Sequence, residues 1–417
     1  MMRISRSGLL LASTPGLSAC MPTAASRDGA RPRRNDSMED DTIFPPDGIL
    51  DVLVIGAGQA GLATAAALQR HGRAVVLVDR CARVGDSWRA RYDSLVLFTP
   101  RRYSSLPGLP LDGDPDAFPT KDEIADYLER YRARHALRVL SSIRIVRLRR
   151  RAGLFAASTD TGRVLLARAV VIATGPFQQP VIPAAAACLP PRVAQLTVDT
   201  YRNPAGLAGK RVLVAGDGAS GRQIARELAQ AASVTLATGK PRRILPDRLL
   251  GRSIFWWLDM LRLTRLSADT RIGRRMRELD AFPGKHLALA ELRRLGIAVV
   301  GRLCSFAGDE ASFACGATAR VDAVIWAVGY REDDSWVDIP GACAPGGGLI
   351  FRRGSTPVPG LHVVGRSWQT SRGSALLLGV ARDADEVARD VQRHLEASAA
   401  AARITSGRMP RAGAARP

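Results

Sequence analysis

Six glycines fall into two sets of identical spacing, and their surroundings give each set a chemistry. The first set reads Asp51-Val-Leu-Val-Ile-Gly56-Ala-Gly58-Gln59-Ala60-Gly61, the second Arg211-Val-Leu-Val-Ala-Gly216-Asp-Gly218-Ala219-Ser220-Gly221. Each follows an apolar run of strand length and opens a helical stretch. Each then leads to a second apolar run, Ala74-Val-Val-Leu-Val-Asp79 or Val234-Thr-Leu-Ala-Thr238. G-x-G-x-x-G in that setting is a dinucleotide fingerprint. The first glycine makes the tight turn, the second lets the backbone approach a pyrophosphate, and the third lets helix and strand pack closely. Free N–H groups at the helix N-terminus then meet the phosphates. Two such sites imply two dinucleotides.

The register between the copies separates their ligands. A shift of 160 residues superposes the sets and lays Gly239 on Asp79. A carboxylate at the end of the second strand accepts hydrogen bonds from an adenosine ribose, so the first site suits FAD or NAD. The second copy reads Thr238-Gly239-Lys240-Pro-Arg242-Arg243, with a hydroxyl and cations where a 2′-phosphate would lie. Arginine's planar fork binds phosphate oxygens in pairs, which points to NADPH at the second site.

Other chemistries find no support. Cys20, Cys81, Cys188, Cys304, Cys315 and Cys343 are scattered without a C-x-x-C, which excludes a redox dithiol of that form and fits reduced thiols in the cytoplasm. The histidines are equally dispersed and no metal site is expected. The net charge of +21 comes almost wholly from arginine. It is spread along the chain rather than clustered with aromatics, so a nucleic-acid surface is not expected. No paired carboxylates or Ser/His/Asp set stands out, and no run approaches the ~20 apolar residues of a membrane span.

The elements around the fingerprints define the organisation. Residues 51–79 read strand–helix–strand. Thr120-Lys-Asp-Glu123 is a capping box opening a helix with Ile124, Tyr127, Leu128 and Tyr131 on one face. Strand-like segments follow around Phe155 and Val164, and Ala169-Val-Val-Ile-Ala-Thr174-Gly175 is a buried strand running into a glycine turn. Its counterpart in the second block is Ala323-Val-Ile-Trp-Ala-Val328-Gly329. Gly360-Leu-His-Val-Val-Gly365 and a helix from about Gly373 to His394 are left over, and return to the first block. The expected fold is α/β, with two Rossmann-like dinucleotide-binding domains arranged as in glutathione reductase. The NADPH domain (181–324) is inserted in a discontinuous FAD domain (50–180 and 325–396). Residues 1–49 are expected to be a disordered or non-native extension, with Met38 as an alternative start. The Ala/Arg/Gly/Pro-rich tail 397–417 is expected to be disordered. Within the insert, Ile254-Phe-Trp-Trp-Leu-Asp-Met-Leu is flanked by Arg248, Arg252, Arg262 and Arg265. It reads either as a domain-packing helix or channel cap, or as an interfacial helix in peripheral contact with a membrane.

From about Asp51 to Val391 the chain resembles the flavin-containing monooxygenases of the bacterial, YUCCA-like branch. The segments that carry the resemblance are Val84-Gly-Asp-Ser87-Trp88-Arg-Ala-Arg-Tyr-Asp-Ser-Leu-Val-Leu-Phe-Thr99-Pro100, Phe118-Pro-Thr-Lys-Asp-Glu, Ala173-Thr-Gly-Pro-Phe-Gln-Gln-Pro, the second fingerprint, and Gly373-Ser-Ala-Leu-Leu-Leu-Gly-Val-Ala-Arg-Asp-Ala. The resemblance implies FAD contacts for Gly56, Gly58, Gly61, Asp79 and Trp88, with Thr174 and Gly175 closing the pocket, and the neighbouring Gln59, Ala60, Arg80 and Ser87 are expected to join them. It implies NADPH contacts for Gly216, Gly218, Ser220 and Gly221, to which the fingerprint loop adds Ala219 and the register between the copies adds Thr238, Lys240, Arg242 and Arg243. It also implies the reaction: NADPH reduces FAD, O2 adds at the flavin C4a carbon, and the resulting (hydro)peroxyflavin passes one oxygen to a small N or S nucleophile, ketone or 2-oxo acid. The cofactor carries that chemistry while the protein orients it and keeps water away. An NADPH oxidase or electron-transfer reductase without oxygen insertion, and a non-catalytic FAD/NADPH redox sensor, are the alternatives. Departures from the family pattern fall at Thr197 and Val198, where relatives carry His-Ser, at Ala219, where they carry Asn, and at Val328. Looser retention of NADP and leakage of hydrogen peroxide are expected from them.

Overall fold

The apolar runs preceding the glycines form the centres of two separate sheets in the computed structural model, which describes residues 48–406 apart from 268, 280 and 281. The expected extension up to residue 47, with Met38, lies outside the described residues, as do residues 407–417. In the first sheet β1 (Ile49–Ile55) is central, with β2 (Val75–Val78) and β3 (Arg138–Leu140) on one side. On the other lie β6 (Val164–Ile172), β5 (Leu154–Thr159) and β4 (Ile145–Arg151). β1 runs parallel to β2 and β6, while β5 is antiparallel to both neighbours. Parallel strands covered on both faces are continuous apolar runs, and Val52–Ile55 and Val75–Val78 are buried throughout.

Helix α1 (Gln59–Arg70) packs its small residues Ala60 to Ala67 between this sheet and the helix Leu377–Ser406. The short α2 (Asp86–Arg89) and the longer α3 (Lys121–Arg134) follow. α3 opens on the expected capping box: Glu123 N–H donates to Thr120 Oγ1 at 3.3 Å, and Thr120 N–H to Glu123 Oε2 at 2.8 Å. Its Ile124, Tyr127, Leu128 and Tyr131 are all fully buried.

Two connections cross between the sheets side by side. β7 (Gln179–Pro180) pairs antiparallel with the returning segment Tyr330–Arg331. The second sheet repeats the first. β9 (Arg211–Ala215) is central, flanked by β10 (Ser233–Ala237) and the strand Ala298–Val300 on one side. The strand Ala323–Trp326 and β8 (Ala194–Thr197) lie on the other, all parallel. Helix α4 (Ala219–Leu228) follows β9 as α1 follows β1. The expected boundary between residues 324 and 325 therefore cuts through a buried strand that pairs with both β9 and β8. The connection back begins at Ala327, and the paired crossing segments are where the two blocks divide.

After the crossing, the strand Leu361–Val363 joins the first sheet beside Val170–Ile172 of β6, so the last segment does complete the first block. Its helix starts at Leu377 rather than near Gly373, because Thr370, Ser371 and Ser374 form a buried hydrogen-bonded loop ahead of it. It then runs to Ser406, which corrects the expected disorder from residue 397. An alanine-rich extension of a helix already anchored by packing needs no new nucleus.

Candidate functional site

The loops at the C-terminal ends of β1, β2, β6 and the strand Leu361–Val363 converge on the N-terminus of α1. That is the crevice where open parallel sheets take ligands. Gly56 has φ +109°. A Cβ there would meet the Ala173 carbonyl oxygen at 2.6 Å, and one on Gly61 would meet the Gly56 oxygen at 1.9 Å. Both glycines are demanded by the fold. Gly58, the residue capping α1, is different: a Cβ would meet nothing within 4 Å. The backbone closes around two of the three glycines and leaves space over the third, at a helix end with no side-chain cap, which fits a pyrophosphate.

Asp79 lies beside this cradle. Its Oδ2 accepts the Ala57 N–H at 2.6 Å and its Oδ1 the Cys81 N–H at 2.8 Å, which fixes the carboxylate while lone pairs remain for a ribose. Trp88 donates Nε1–H to Gln59 Oε1 at 3.3 Å, so two expected contacts meet at the start of α1. Thr174 and Gly175 follow β6 directly and are cross-linked by Gln178 Nε2, at 3.0 Å to Thr174 Oγ1 and 2.9 Å to the Gly175 oxygen. Ala60 is buried against the segment that follows Leu361–Val363, while Arg80 and Ser87 are exposed at the rim.

The second cradle repeats the backbone with a different charge arrangement. Gly216 has φ +107°. Cβ atoms on Gly216 and Gly221 would meet the Ala327 and Gly216 oxygens at 2.3 and 2.0 Å, while Gly218 again has nothing within 4 Å. Ala219 and Ser220 form the first turn of α4 and are half-buried. The carboxylate has moved. Asp217, at the position of Ala57, accepts the N–H of Gly239, at the position of Asp79, at 3.0 Å. The same two positions stay bridged with donor and acceptor exchanged. Asp217 is 2% exposed and also pairs with Arg222 at 2.9 Å and Arg242 at 3.1 Å. Asp217 is therefore a buried anion shared by Arg222 and Arg242 at the end of β10. Arg242 thus stands over the end of β10, with Lys240 and Arg243 exposed nearby. The Thr238 hydroxyl donates to the Val300 oxygen at 2.8 Å, so its hydrogen is not available to a phosphate.

The segment between Gly85 and Pro100 joins the two cradles. Trp88 faces the first, whereas the fully buried Tyr92 belongs to the core of the second sheet with Val198 and Tyr201. Its hydroxyl donates to Gln223 Oε1 at 2.5 Å, and burial pushes the phenol well above its usual range. Arg91 reaches Asp199 Oδ1 at 2.7 Å, and the Tyr330 hydroxyl donates to the same oxygen at 2.6 Å. The Arg91 guanidinium lies 5.3 Å over the Tyr330 ring. A single short motif thereby links the first cradle to the core of the second sheet.

Phe255 of the helix Ile254–Met260 stacks on Phe98 at 6.4 Å and lies tilted against Tyr103 at 6.0 Å, so the inserted segment packs on the first block. Ser267 forms a β-bridge with Ser371, and Arg382 donates to the Arg265 oxygen at 3.3 Å. The packing reading of the aromatic run holds for its buried face.

Sequence reasoning missed two buried ionic groups. Arg222, 2% exposed, occupies the position of Leu62 in the first copy; a charge at an apolar helix position was the available signal. Arg366, 1% exposed, meets Asp334 and Glu332, each at 2.6 Å. It follows Gly365, where a Cβ would lie 2.6 Å from Ala60 Cβ at the start of α1. One departure takes on another meaning. Val198 is 5% exposed in the second core, not at a cradle, so its apolar side chain serves packing. Thr197 Oγ1 accepts the Asp199 N–H at 3.3 Å and shapes the turn after β8.

The pyridine nucleotide-disulphide oxidoreductase family matches residues 53–246. The described cysteines are all free, and burial followed by the Asp79 charge pushes the Cys81 thiol up to about 11, away from dithiol chemistry. A Geobacillus kaustophilus protein, an uncharacterized CzcO-like oxidoreductase, is 42% identical over 83% of this chain and 99% of its own length. The indole-3-pyruvate monooxygenase YUCCA1 of Oryza sativa is 28% identical over 81% of this chain and 90% of its own. Among solved structures, the flavin-containing monooxygenase from Stenotrophomonas maltophilia superposes with a TM-score of 0.70 at 30% identity, covering 83% of this chain and 99% of that one. The paired Rossmann-like sheets and their glycine cradles are those of a two-dinucleotide flavoprotein. Within that class the chain belongs to the flavin-containing monooxygenase family, oxidoreductases that work with FAD and NADP.

Proposed function

We propose that this chain uses NADPH, FAD and O2 to insert one oxygen atom into a small organic substrate: an amine, sulfide, ketone or 2-oxo acid. The observation that carries the reading is the pair of open glycine cradles with opposite carboxylate placement, Asp79 against Gly239. On this reading the α1 N-terminus at Gly58 binds the FAD pyrophosphate, Asp79 its ribose, and Trp88 with Gln59 the adjoining part of the cofactor. The α4 N-terminus at Gly218 binds the NADPH pyrophosphate, and Arg242, anchored on Asp217, reads the 2′-phosphate with Arg243 and Lys240. Bound flavin supplies the hydride acceptance and oxygen activation that no side chain supplies. The chain's own contribution is orientation and shelter. Arg91, Asp199 and Tyr330 hold the blocks together, and Phe255 seals the insert onto Phe98 and Tyr103, keeping water from that side.

The deciding experiment is anaerobic stopped-flow reduction of the purified holoprotein by NADPH and by NADH, then mixing with O2 and a panel of those substrates. Flavin bleaching that is faster with NADPH, followed by oxygenated product, is expected. Flavin that NADPH does not reduce would overturn the reading, and reduction with only hydrogen peroxide formed would make the protein an oxidase.

A further inference from the structure

The insert carries a surface that neither cradle uses. Arg248–Leu249 pairs antiparallel with Arg252–Ser253, and the two turn residues Leu250 and Gly251 have φ +50° and +73°. Such a turn suits Asn-Gly, and a leucine in the left-handed region is strained. Leu250 recovers nothing by packing, because it is 81% exposed. Leu249 beside it is 47% exposed.

The neighbouring helix extends the same apolar tip. Its Ile254 and Phe255 are buried, Phe255 against Phe98 and Tyr103, which sets the orientation of the helix. Trp257 donates Nε1–H to the Leu249 oxygen at 2.9 Å, tying helix to hairpin. Three and four residues on, Met260 and Leu261 are 50% and 58% exposed. Around this tip Arg248, Arg252, Arg262 and Arg265 are all exposed, and Arg252 stacks 5.5 Å over Trp256. Asp259, the acid on this helix, lies 3.5 Å from Arg265.

We propose that this tip docks on an anionic phospholipid bilayer. The leucines and Met260 enter the acyl boundary, the tryptophans lie at headgroup depth, and the arginines meet lipid phosphates. Amphipathic side chains with an apolar body and polar end suit that depth. The contact is monotopic, since no helix of the described residues is long and apolar enough to cross a membrane. Charge complementarity selects this occupant over a second copy of the chain, whose equally cationic tip would repel it. The proposal stands independently of the flavin reading.

The test is co-sedimentation of the holoprotein with phosphatidylcholine vesicles, with and without about 30 mol % phosphatidylglycerol. Binding to the anionic vesicles alone, released by about 0.5 M salt, is expected. Leu249→Ser with Leu250→Asn should lower the bound fraction about tenfold. Asn fits the turn better than Leu, so an unchanged or higher Tm keeps misfolding out of the result. Arg248→Glu is the second variant and should lose binding with the apolar tip intact. Wild-type protein that stays in the supernatant with anionic vesicles, or variants that bind as well as wild type, would overturn the proposal. So would a wild-type dimer, seen by light scattering, that the Leu249/Leu250 variant converts to monomer, because the tip would then be a self-interface.

Discussion

Replacing Gly58 by Val separates the cofactor cradle from the fold. Gly58 has φ −75° and ψ −175°, an extended conformation that valine adopts readily, and its Cβ would meet no atom within 4 Å. The cost to the fold is limited to a poorer helix cap, about 1 kcal/mol. The valine methyls, however, stand where the FAD pyrophosphate would approach the free N–H groups of α1. Losing two charge-assisted hydrogen bonds at about 1.5–3 kcal/mol each weakens FAD binding by about 10²- to 10⁴-fold. Gly61→Ala is the counterpart, since its Cβ would lie 1.9 Å from the Gly56 oxygen. That clash forces apart a helix and a strand and costs at least about 2 kcal/mol. The assay is flavin absorbance per chain, far-UV circular dichroism and calorimetric titration of the apoprotein with FAD. Gly58→Val should be colourless, folded and weak for FAD, and Gly61→Ala unstable. A Gly58→Val protein that retains one FAD per chain, or one that unfolds as Gly61→Ala does, would refute the reasoning.

Three further outcomes are expected. Arg242→Ala with Arg243→Ala should raise the KM for NADPH about tenfold or more while leaving NADH nearly unchanged, from the loss of at least one charge-assisted bond; equal effects on both nucleotides in steady-state kinetics would remove these arginines from the 2′-phosphate. Val198→Ser, in a core with Tyr92 and Tyr201, should cost about 2 kcal/mol in urea unfolding and leave the ratio of NADPH consumed to product formed unchanged; a changed ratio at unchanged stability would return Val198 to the cofactor site. Burial, opposed in part by the Asp390 charge, holds His362 down at about 4, against about 6.5 when unfolded. The unfolded chain therefore takes the proton first, so stability falls as pH drops from about 6.5 to about 4 and levels off below. His362→Leu should flatten that limb of the Tm-versus-pH curve, and parallel curves for the two proteins would show that His362 does not contribute.

The two cradles were legible in the sequence because their requirements are local. A turn that needs a positive φ and a helix that must approach its own strand write themselves as glycines at fixed spacing, and Gly56 and Gly216 differ by only 2° in φ, at +109° and +107°. The alternation of strand and helix and the capping box at Thr120 were readable for the same reason: short-range patterning specifies each element, whereas the return of the last segment to the first sheet followed by elimination, the second block having already closed. Only the tertiary structure decided which side chains meet across those elements. Asp217 stands next to Gly216 in sequence, yet its role as the counter-charge of Arg222 and Arg242 and the acceptor for Gly239 follows from β9 and β10 lying in register. Arg366 is flanked by glycine and serine in the chain, and becomes a buried cation only because the return of its strand beside β6 brings Asp334 and Glu332 to it. The dividing line between the blocks was misplaced within the strand Ala323–Trp326 because an apolar run does not say which sheet it joins. Hydrogen-bond register and packing between residues far apart in the chain settle that, and neither is written in any local stretch of sequence.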